Sequence, residues 1–260
     1  MRTKIAETVA EYVSIACDVR REWTKASGQY FDPWFRGHRD TAWKLEPNIF
    51  RLGLQDDENE IRAEFLRRGR QLHAESDLKD EWDWYFVMQH YRAPTRLLDW
   101  TDSALVALFF AINSNAAGDS KITGDAAVWI LDPWWLNRQV IKRDSLLSPD
   151  FDEARPYLPA VHSHAVRKRL PVAIDPPHVA KRVGAQRSHF TIHGTKRNGL
   201  MEMAHRPKSR FMKVVLPKDS IPEMRVDLVT CGVTDTTLFP DLEGLSRELT
   251  RFWTEEWEDS

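Results

Sequence analysis

Cysteine is nearly absent from this 260-residue chain. Cys17 and Cys231 stand far apart and neither belongs to a CxxC, which excludes a thiolate metal site and fits a reducing cytoplasm. Long apolar runs are missing too. The longest, Ala104–Ile112, has nine residues, where a membrane span needs about 20. Residues 1–7 lead into a charged amphipathic segment without a signal-peptide core, so a cytoplasmic protein without membrane contact is expected. There is no internal repeat and no low-complexity linker. The chain also lacks GxGxxG with an acidic ribose binder, GxxxxGK[ST], HExxH and GxSxG. It therefore gives no support for a Rossmann dehydrogenase, a P-loop NTPase, a zincin or an α/β-hydrolase.

What is present describes an ordinary globular chain, 42% hydrophobic and 29% charged, long enough to fold without a disulfide or a metal. Eleven tryptophans are the unusual count, and large core residues account for them. The net charge of −2 conceals a segregation. Residues 162–213 carry twelve Lys/Arg against two acids, and residues 214–260 carry four against eleven. The basic block is suited to facing RNA, DNA or a phosphorylated cofactor. It is equally suited to pairing with the acidic tail across the fold, above all with Glu243, Glu248, Glu255 and Glu256.

Periodicity predicts a first helix with Ile5, Val9, Tyr12, Ala16, Val19 and Trp23 on one face, stopped by Gly28. A short strand follows around Trp34–His38. A helix over 58–73 turns Ile61, Phe65, Leu66 and Leu72 inward, and another after Asp80 is broken at Arg92-Ala93-Pro94. Leu97–Thr101 is extended, and Asp102 and Ser103 cap a buried helix from Ala104. Strands are expected at Ala126–Leu131, Val172–Ile174, 188–194 and Phe211–Leu216, and short helices at 178–185 and 222–230. A last helix over 241–256 places Leu242, Leu245, Leu249, Phe252 and Trp253 inward. The expected fold is one α+β domain, a mixed sheet core flanked by helices. Its parts are an N-terminal helix over 1–29, a main body over 30–245, and a helix end with an acidic tail over 246–260.

Three stretches could carry chemistry. In Trp34-Phe35-Arg36-Gly37-His38-Arg39 a strand-end Arg precedes a backbone that can be approached closely. That suits either a phosphate clamp or the bonding of a carboxylate or loop cap. Residues 89–103 pack Gln89, His90, Arg92, Thr95, Arg96, Asp99, Thr101, Asp102 and Ser103 between apolar helices. This is a site or an internal brace, with Arg96–Asp99 a candidate ion pair and His90 a candidate core histidine. In Gln186-Arg187-Ser188-His189-Phe190-Thr191-Ile192-His193, alternation puts His189, Thr191 and His193 on one face. His189 and His193 lie about 13 Å apart at strand rise, too far to share an ion. His162 and His164 have no partners to close a tetrahedral site, so no metal is expected.

In this order the three stretches resemble the FRG-domain family of bacterial and phage proteins. Phe35-Arg36-Gly37 matches the motif that names it. Residues 89–101 match its Gln-His-Tyr-Gly-x-Pro-Thr-Arg-Leu-Leu-Asp-Trp-Thr, with Arg92 where Gly is usual and, later, Ser188 where Gly is common. The resemblance spans roughly residues 30–245. A weaker resemblance is to ADP-ribosyltransferases of the Arg–Ser–Glu type. Those carry an aromatic-Arg-Gly strand, a Ser-Thr-Ser strand end before an Ala-rich helix, and a final Glu or Gln, matched here by Arg36, by Thr101 to Ser103 and by Gln186.

That likeness implies an ADP-ribosyltransferase-like fold with NAD as co-substrate. Thr101, Gln186 and Asp99 would be catalytic. Arg36, Gly37, Gln89, His90, Arg96 and Ser103 would bind the cofactor. Lys196, Arg197, Lys208 and Arg210 would face a nucleic acid. The implied role is a toxin or antiphage effector that modifies nucleic acid or protein and is compatible with an antitoxin or other partner protein. The alternative is a non-catalytic nucleic-acid-binding or regulatory interaction domain.

Overall fold

The six apolar residues of Ala126–Leu131 have no polar side to give to water, and all six are buried. They form β4 of a seven-stranded sheet in the computed structural model, which describes residues 1–28, 30, 32–72, 78, 80–113, 124–159, 168–175 and 188–254. The other strands are β1 (Arg2–Ile5), β2 (Trp34–His38), β3 (Leu97–Thr101), β5 (Val172–Ile174), β6 (Ser188–Ile192) and β7 (Phe211–Leu216). Their order across the sheet is β1-β7-β4-β2-β3-β6-β5. β1 runs parallel to β7 and the remaining pairs are antiparallel, so the sheet is mixed. With helices on its faces it makes a single α+β domain, as the sequence predicts.

Helix α1 (Val9–Ser27) buries Val9, Tyr12, Ala16, Val19 and Trp23 against the sheet. Thr8 caps its start, and Gly28 ends it in the left-handed region at φ 72°. Ile5 does not belong to this helix. It sits in edge strand β1 and is exposed, because the chain first pairs with β7 and turns helical only after Thr8. Short α2 (Asn48–Arg51) precedes α3 (Glu58–Leu72) and α4 (Glu81–His90). Asp80 closes a capping box on α4. Arg92 then takes φ 61°, the backbone that glycine adopts without penalty.

Helix α5 (Ala104–Ile112) is capped by Ser103 and is the buried helix of the domain. Gly37 of β2 lies directly against it. A Cβ on Gly37 would fall 2.2 Å from the carbonyl oxygen of Ala107 and 2.5 Å from the amide of Ala111. Helix α6 (Pro133–Val140), which the sequence reading does not anticipate, starts on the Asp132 cap with Pro133 at its first position. Helices α7 (Gly199–Ala204), α8 (Ile221–Thr230), α9 (Asp235–Leu238) and α10 (Leu242–Thr254) complete the described chain. The helix expected at 178–185 falls outside the described residues.

Two expected inward faces are corrected. Leu72 is exposed at the end of α3, whose buried positions are the charged Glu58 and Arg62. On α10 the apolar stripe faces outward, with Leu242, Leu245, Leu249, Phe252 and Trp253 all exposed. This helix is held by its polar side. Arg251 Nε lies 3.0 Å and Arg247 Nε 3.4 Å from the buried Asp235 carboxylate, and Glu248 accepts from the Thr236 amide at 2.8 Å.

Arg96 braces α3, α4, β6 and the irregular segment that follows α6. Only 2% exposed, it pairs through Nε with both oxygens of Glu58, itself 1% exposed, at 3.0 and 2.8 Å. Its other nitrogens donate to the carbonyls of His193 and Tyr157. The Tyr85 hydroxyl donates to Glu58 at 2.6 Å and accepts from the Arg96 amide at 2.7 Å. His193 is buried beside this brace, and neither ring nitrogen has a hydrogen-bond partner among the described residues. Desolvation pushes its pKa from 6.5 down to about 3, with the charges of Arg96 and Arg36 adding to the effect.

Two outcomes are expected. Gly37→Ala forces β2 away from α5 and lowers stability by about 1–3 kcal/mol in urea unfolding. Gly124→Ala, whose added Cβ meets open space, changes it little. The second concerns acid. Unfolded, His193 takes its proton near 6.5, and folded only near 3. Between those values the unfolded chain holds more protons, so stability is complete above the upper value and falls as pH drops towards the lower. The slope is up to about 1.4 kcal/mol per pH unit. His193→Leu should flatten this limb by about one proton in urea titrations from pH 7 to pH 4. An unchanged slope would locate the acid sensitivity elsewhere.

Candidate functional site

Adjacent strands normally exchange a continuous ladder of backbone hydrogen bonds. β2 and β3 share a single register pair, Phe35 with Thr101, whereas β2 pairs with β4 and β3 pairs with β6 through five residues each. Past Phe35 the two strands diverge and the sheet splits into β1-β7-β4-β2 and β3-β6-β5. The Arg36 guanidinium crosses the gap. Its Nη1 donates to the Asp99 carbonyl at 2.7 Å and lies 3.8 Å from the Asp99 carboxylate. Its Nε donates to His38 Nε2 at 3.2 Å. That bond requires a neutral His38 with its proton on Nδ1. Desolvation and the Arg36 charge accordingly hold His38 well below the usual imidazole range.

The split opens into a cleft of about 400 Å³, a volume within the roughly 300–1,000 Å³ of small-molecule sites. Phe35, Gly37, Ala107 and Phe110 line its apolar side, which depends on the close approach of Gly37 to α5. Arg36, Arg39, Arg51, Asp99, Thr101 and Ser188 line its polar side. Trp43 stands at the wall with the Arg39 guanidinium 5.6 Å from its ring centre. Its loop is tied to the sheet by Lys213 Nζ on the Thr41 carbonyl at 2.6 Å and by Thr41 N on the Asp125 carbonyl at 3.0 Å.

Desolvation lowers the pKa of Arg36 to about 10. Asp99 opposes the shift and the neighbouring charge of Arg51 adds to it. Arg36 is thus still cationic at neutral pH. Among the described residues its Nη2 makes no hydrogen bond, and the side chain of Arg51 has neither a hydrogen bond nor an ion pair, although its backbone amide donates to the Pro47 carbonyl at 3.2 Å. Two guanidiniums that line one concave site, near enough for Arg51 to depress the pKa of Arg36, form a donor set of the kind an anion requires.

Asp99 is presented to this cleft from behind. Gln89 Nε2 donates to its carboxylate at 2.8 Å, and Gln89 Oε1 accepts from the Thr95 hydroxyl. The side chain of Asp99 stays half exposed. Thr101 is buried at the one β2–β3 pair, and its Oγ1 accepts from the Ser103 amide at 3.2 Å.

Of the residues singled out in the sequence, Arg36, Gly37, Asp99 and Thr101 are brought together on the cleft wall. Gln89 stands behind Asp99. Ser103 caps α5, accepting from Val106 N at 3.4 Å. His90 is exposed, with its ring edge-on to Tyr91 at 5.0 Å. Arg96 pairs with Glu58 in the buried brace, not with Asp99. Gln186 lies outside the described residues, while Ser188, two positions later in the sequence, is on the wall. His189 and Thr191 share the face that alternation predicts. His189 stacks on Trp34 at 4.7 Å and sits 2.9 Å from Asp175, and Thr191 accepts from Trp100 Nε1 at 3.0 Å.

Several of the described cations of the basic block are engaged within the fold. Arg210 pairs with buried Asp132 at 2.6 Å, Arg197 with buried Glu46 at 2.8 Å, and Lys196 with Glu202. Lys208 is exposed. The acids of the last helix take other partners: Glu243 bonds Arg247 at 2.8 Å, and Glu248 bonds Thr236. Glu255 and Glu256 lie outside the described residues.

Sequence reasoning did not single out Arg51 or Trp43. Both come from the stretch between β2 and α3, which has no periodicity to flag it. The fold brings Arg51 to the cleft through Ile49, whose amide bonds the Thr95 carbonyl at 3.3 Å, and through buried Leu45, Ile49 and Phe50.

The cleft draws most of its wall from β2 through α5. Those elements fall within residues 32–120, which match the family model described as FRG domain. No curated protein and no solved structure matches the chain. The matched residues include Phe35-Arg36-Gly37 and all of residues 89–101, the two motifs that converge at the split, and by that match the chain carries an FRG domain.

Proposed function

We propose that the cleft binds NAD and that the protein transfers ADP-ribose from it to a nucleic acid or protein acceptor. The observation that carries this reading is the pair Arg36 and Arg51, with donors open to a cleft that also presents a half-exposed carboxylate, Asp99. Two phosphates and a ring system are what such a wall can hold. The guanidiniums take the pyrophosphate oxygens, and Trp43 and Phe110 supply flat apolar surface. Transfer breaks the bond between ribose and nicotinamide, which leaves with the electron pair, and the acceptor oxygen or nitrogen takes its place and loses a proton. Asp99 is placed to offset the positive charge that develops on the ribose or to take that proton. Gln89 and Arg36 fix its orientation from either side. Thr101 and Ser188 offer hydroxyls to the ribose.

Arg51→Ala is the cleanest test, because the Arg51 side chain bonds nothing among the described residues, its backbone bond to Pro47 is kept by alanine, and the loss should leave stability within about 0.5 kcal/mol. NAD affinity should fall roughly tenfold or more, as expected for one lost charged hydrogen bond of about 1.5–3 kcal/mol. Calorimetry with NAD reads this directly. Arg36→Lys keeps the charge but loses the fork that holds both His38 and Asp99, so it should weaken binding as well. Asp99→Asn should keep affinity and stop release of nicotinamide. Wild-type protein that neither binds nor cleaves NAD at millimolar concentration would sink the reading. So would unchanged binding in both arginine variants.

A further inference from the structure

The last helix is inverted. An amphipathic helix on a globular domain normally turns its apolar stripe to the core. Helix α10 turns Gly244, Arg247, Glu248 and Arg251 inward instead. Arg247 and Arg251 share the buried carboxylate of Asp235, and Arg251 also donates to Asn113 at 3.3 Å. Arg247 lies 4.3 Å over the Phe239 ring. Gly244 rests on Phe239 so closely that an added Cβ would meet its carbonyl oxygen at 2.0 Å. The helix is therefore fixed in this orientation by charge and by contact. Its apolar face is left outside by construction.

That outer face has a pattern. Leu242, Leu245, Leu249 and Phe252 follow one another at steps of three, four and three residues, the spacing of a helix-to-helix seam about 15 Å long. Trp253 flanks the seam at 79% exposure. Phe252 and Val229 share a recess between α8 and α10, which carries the apolar surface onto α8. Together these side chains leave on the order of 700 Å² uncovered, above the roughly 300–600 Å² of the largest patch on an ordinary monomer. It is close to the roughly 800 Å² that each partner contributes to a stable interface. None of these residues lines the cleft.

We infer that this face pairs with its own copy, two α10 helices packing antiparallel about a two-fold axis to make a homodimer. A two-fold contact needs one self-complementary patch, and a straight seam without charges is such a patch. Ser246 and Thr250 at its margins are small enough for close approach. The antiparallel sense keeps the two acidic ends apart, since the sequence after Thr254 reads Glu-Glu-Trp-Glu-Asp-Ser. The same acidity argues against an anionic lipid surface, which selects Lys and Arg on the flanks of a helix.

Sedimentation of the full chain tests this. The wild type should move from 30.3 kDa towards twice that mass between about 1 and 100 μM, the range that brackets micromolar dissociation constants. Leu249→Glu and Phe252→Glu, both on exposed positions, should keep the circular dichroism of the wild type and weaken association at least tenfold. Leu72→Glu, at a still more exposed leucine on α3, should leave it unchanged. A wild type that stays monomeric throughout overturns the inference. So does a dimer that survives both α10 variants, or one that Leu72→Glu also disrupts. Monomeric protein that sediments with phosphatidylcholine–phosphatidylserine vesicles through this face would replace a protein partner with a lipid one.

Discussion

The domain depends on one guanidinium placed where a sheet ladder stops. A strand carbonyl beyond the end of its ladder is left without a main-chain donor. At Asp99 the donor that strand β2 would have supplied is missing, because β2 and β3 have already parted. Arg36 supplies it. The side chain that closes the break in the sheet is therefore the same one that puts positive charge into the resulting cleft. Removing Arg36 therefore takes away the bond to Asp99 and the charge in the cleft together. A lysine could carry the charge, but it could not reach His38 through Nε and Asp99 through Nη1 in one plane. His38 completes the arrangement by staying neutral, since a protonated ring would have no lone pair for Arg36 and would add a second charge beside it.

The two halves of the split sheet are stabilised differently. On the β2 side, α1, α5 and α8 form an apolar cluster, and Gly37 lets α5 approach the strand to backbone contact. On the β3 side, residues 141–159 after α6 form no helix and no named strand, so their buried carbonyls find no ladder. Two arginines reach into it: Arg96 to Tyr157 and Arg62 to Pro159, the latter at 2.9 Å. Each is neutralised by a glutamate, Glu58 or Glu81. A buried ion pair is a weak source of net stability. Here its use is specific: guanidinium forks satisfy carbonyls that a more regular chain would have paired by itself. The polar density of residues 89–103 thus divides between two roles. Arg96 and Thr95 brace the interior, while Asp99 and Thr101 face the cleft.

Strand and helix positions were legible in the sequence wherever one periodicity ruled: β4 from its unbroken apolar run, α5 from its cap and Ala-rich face, α4 from Asp80 and the break at Arg92. The motif around Phe35-Arg36-Gly37 was not legible as a site by itself: the sequence left a phosphate clamp and a bond to a carboxylate or loop cap both open, and in the structure Arg36 bonds Asp99 while it lines the cleft. The direction of α10 was not legible. A three-four spacing of Leu and Phe shows that a helix has an apolar face, but not which way the domain turns it. That is decided here by Asp235, Asn113 and Phe239, residues with no signal linking them to the helix. Arg51 was hidden for the opposite reason: it lies in a short helix whose placement rests on one backbone bond to Thr95 and on buried neighbours.

The fate of the basic block shows how charge along a chain differs from charge on a surface. Residues 162–213 hold an excess of ten positive charges in sequence. Folding brings Arg197 to Glu46, 151 positions away, and Arg210 to Asp132, 78 positions away. Both acids are buried and would be costly to leave uncompensated. Arg197 in turn fixes the segment that carries Arg51. Part of the excess is consumed in holding such segments, and one of them carries Arg51, whose side chain is unpaired among the described residues, to the cleft. A binding charge is better recognised by what the fold leaves it to do than by how many like charges surround it in sequence. By that criterion Arg36 and Arg51, which lie outside the basic block and line the cleft, are stronger candidates to meet a ligand there than the paired Arg197 and Arg210.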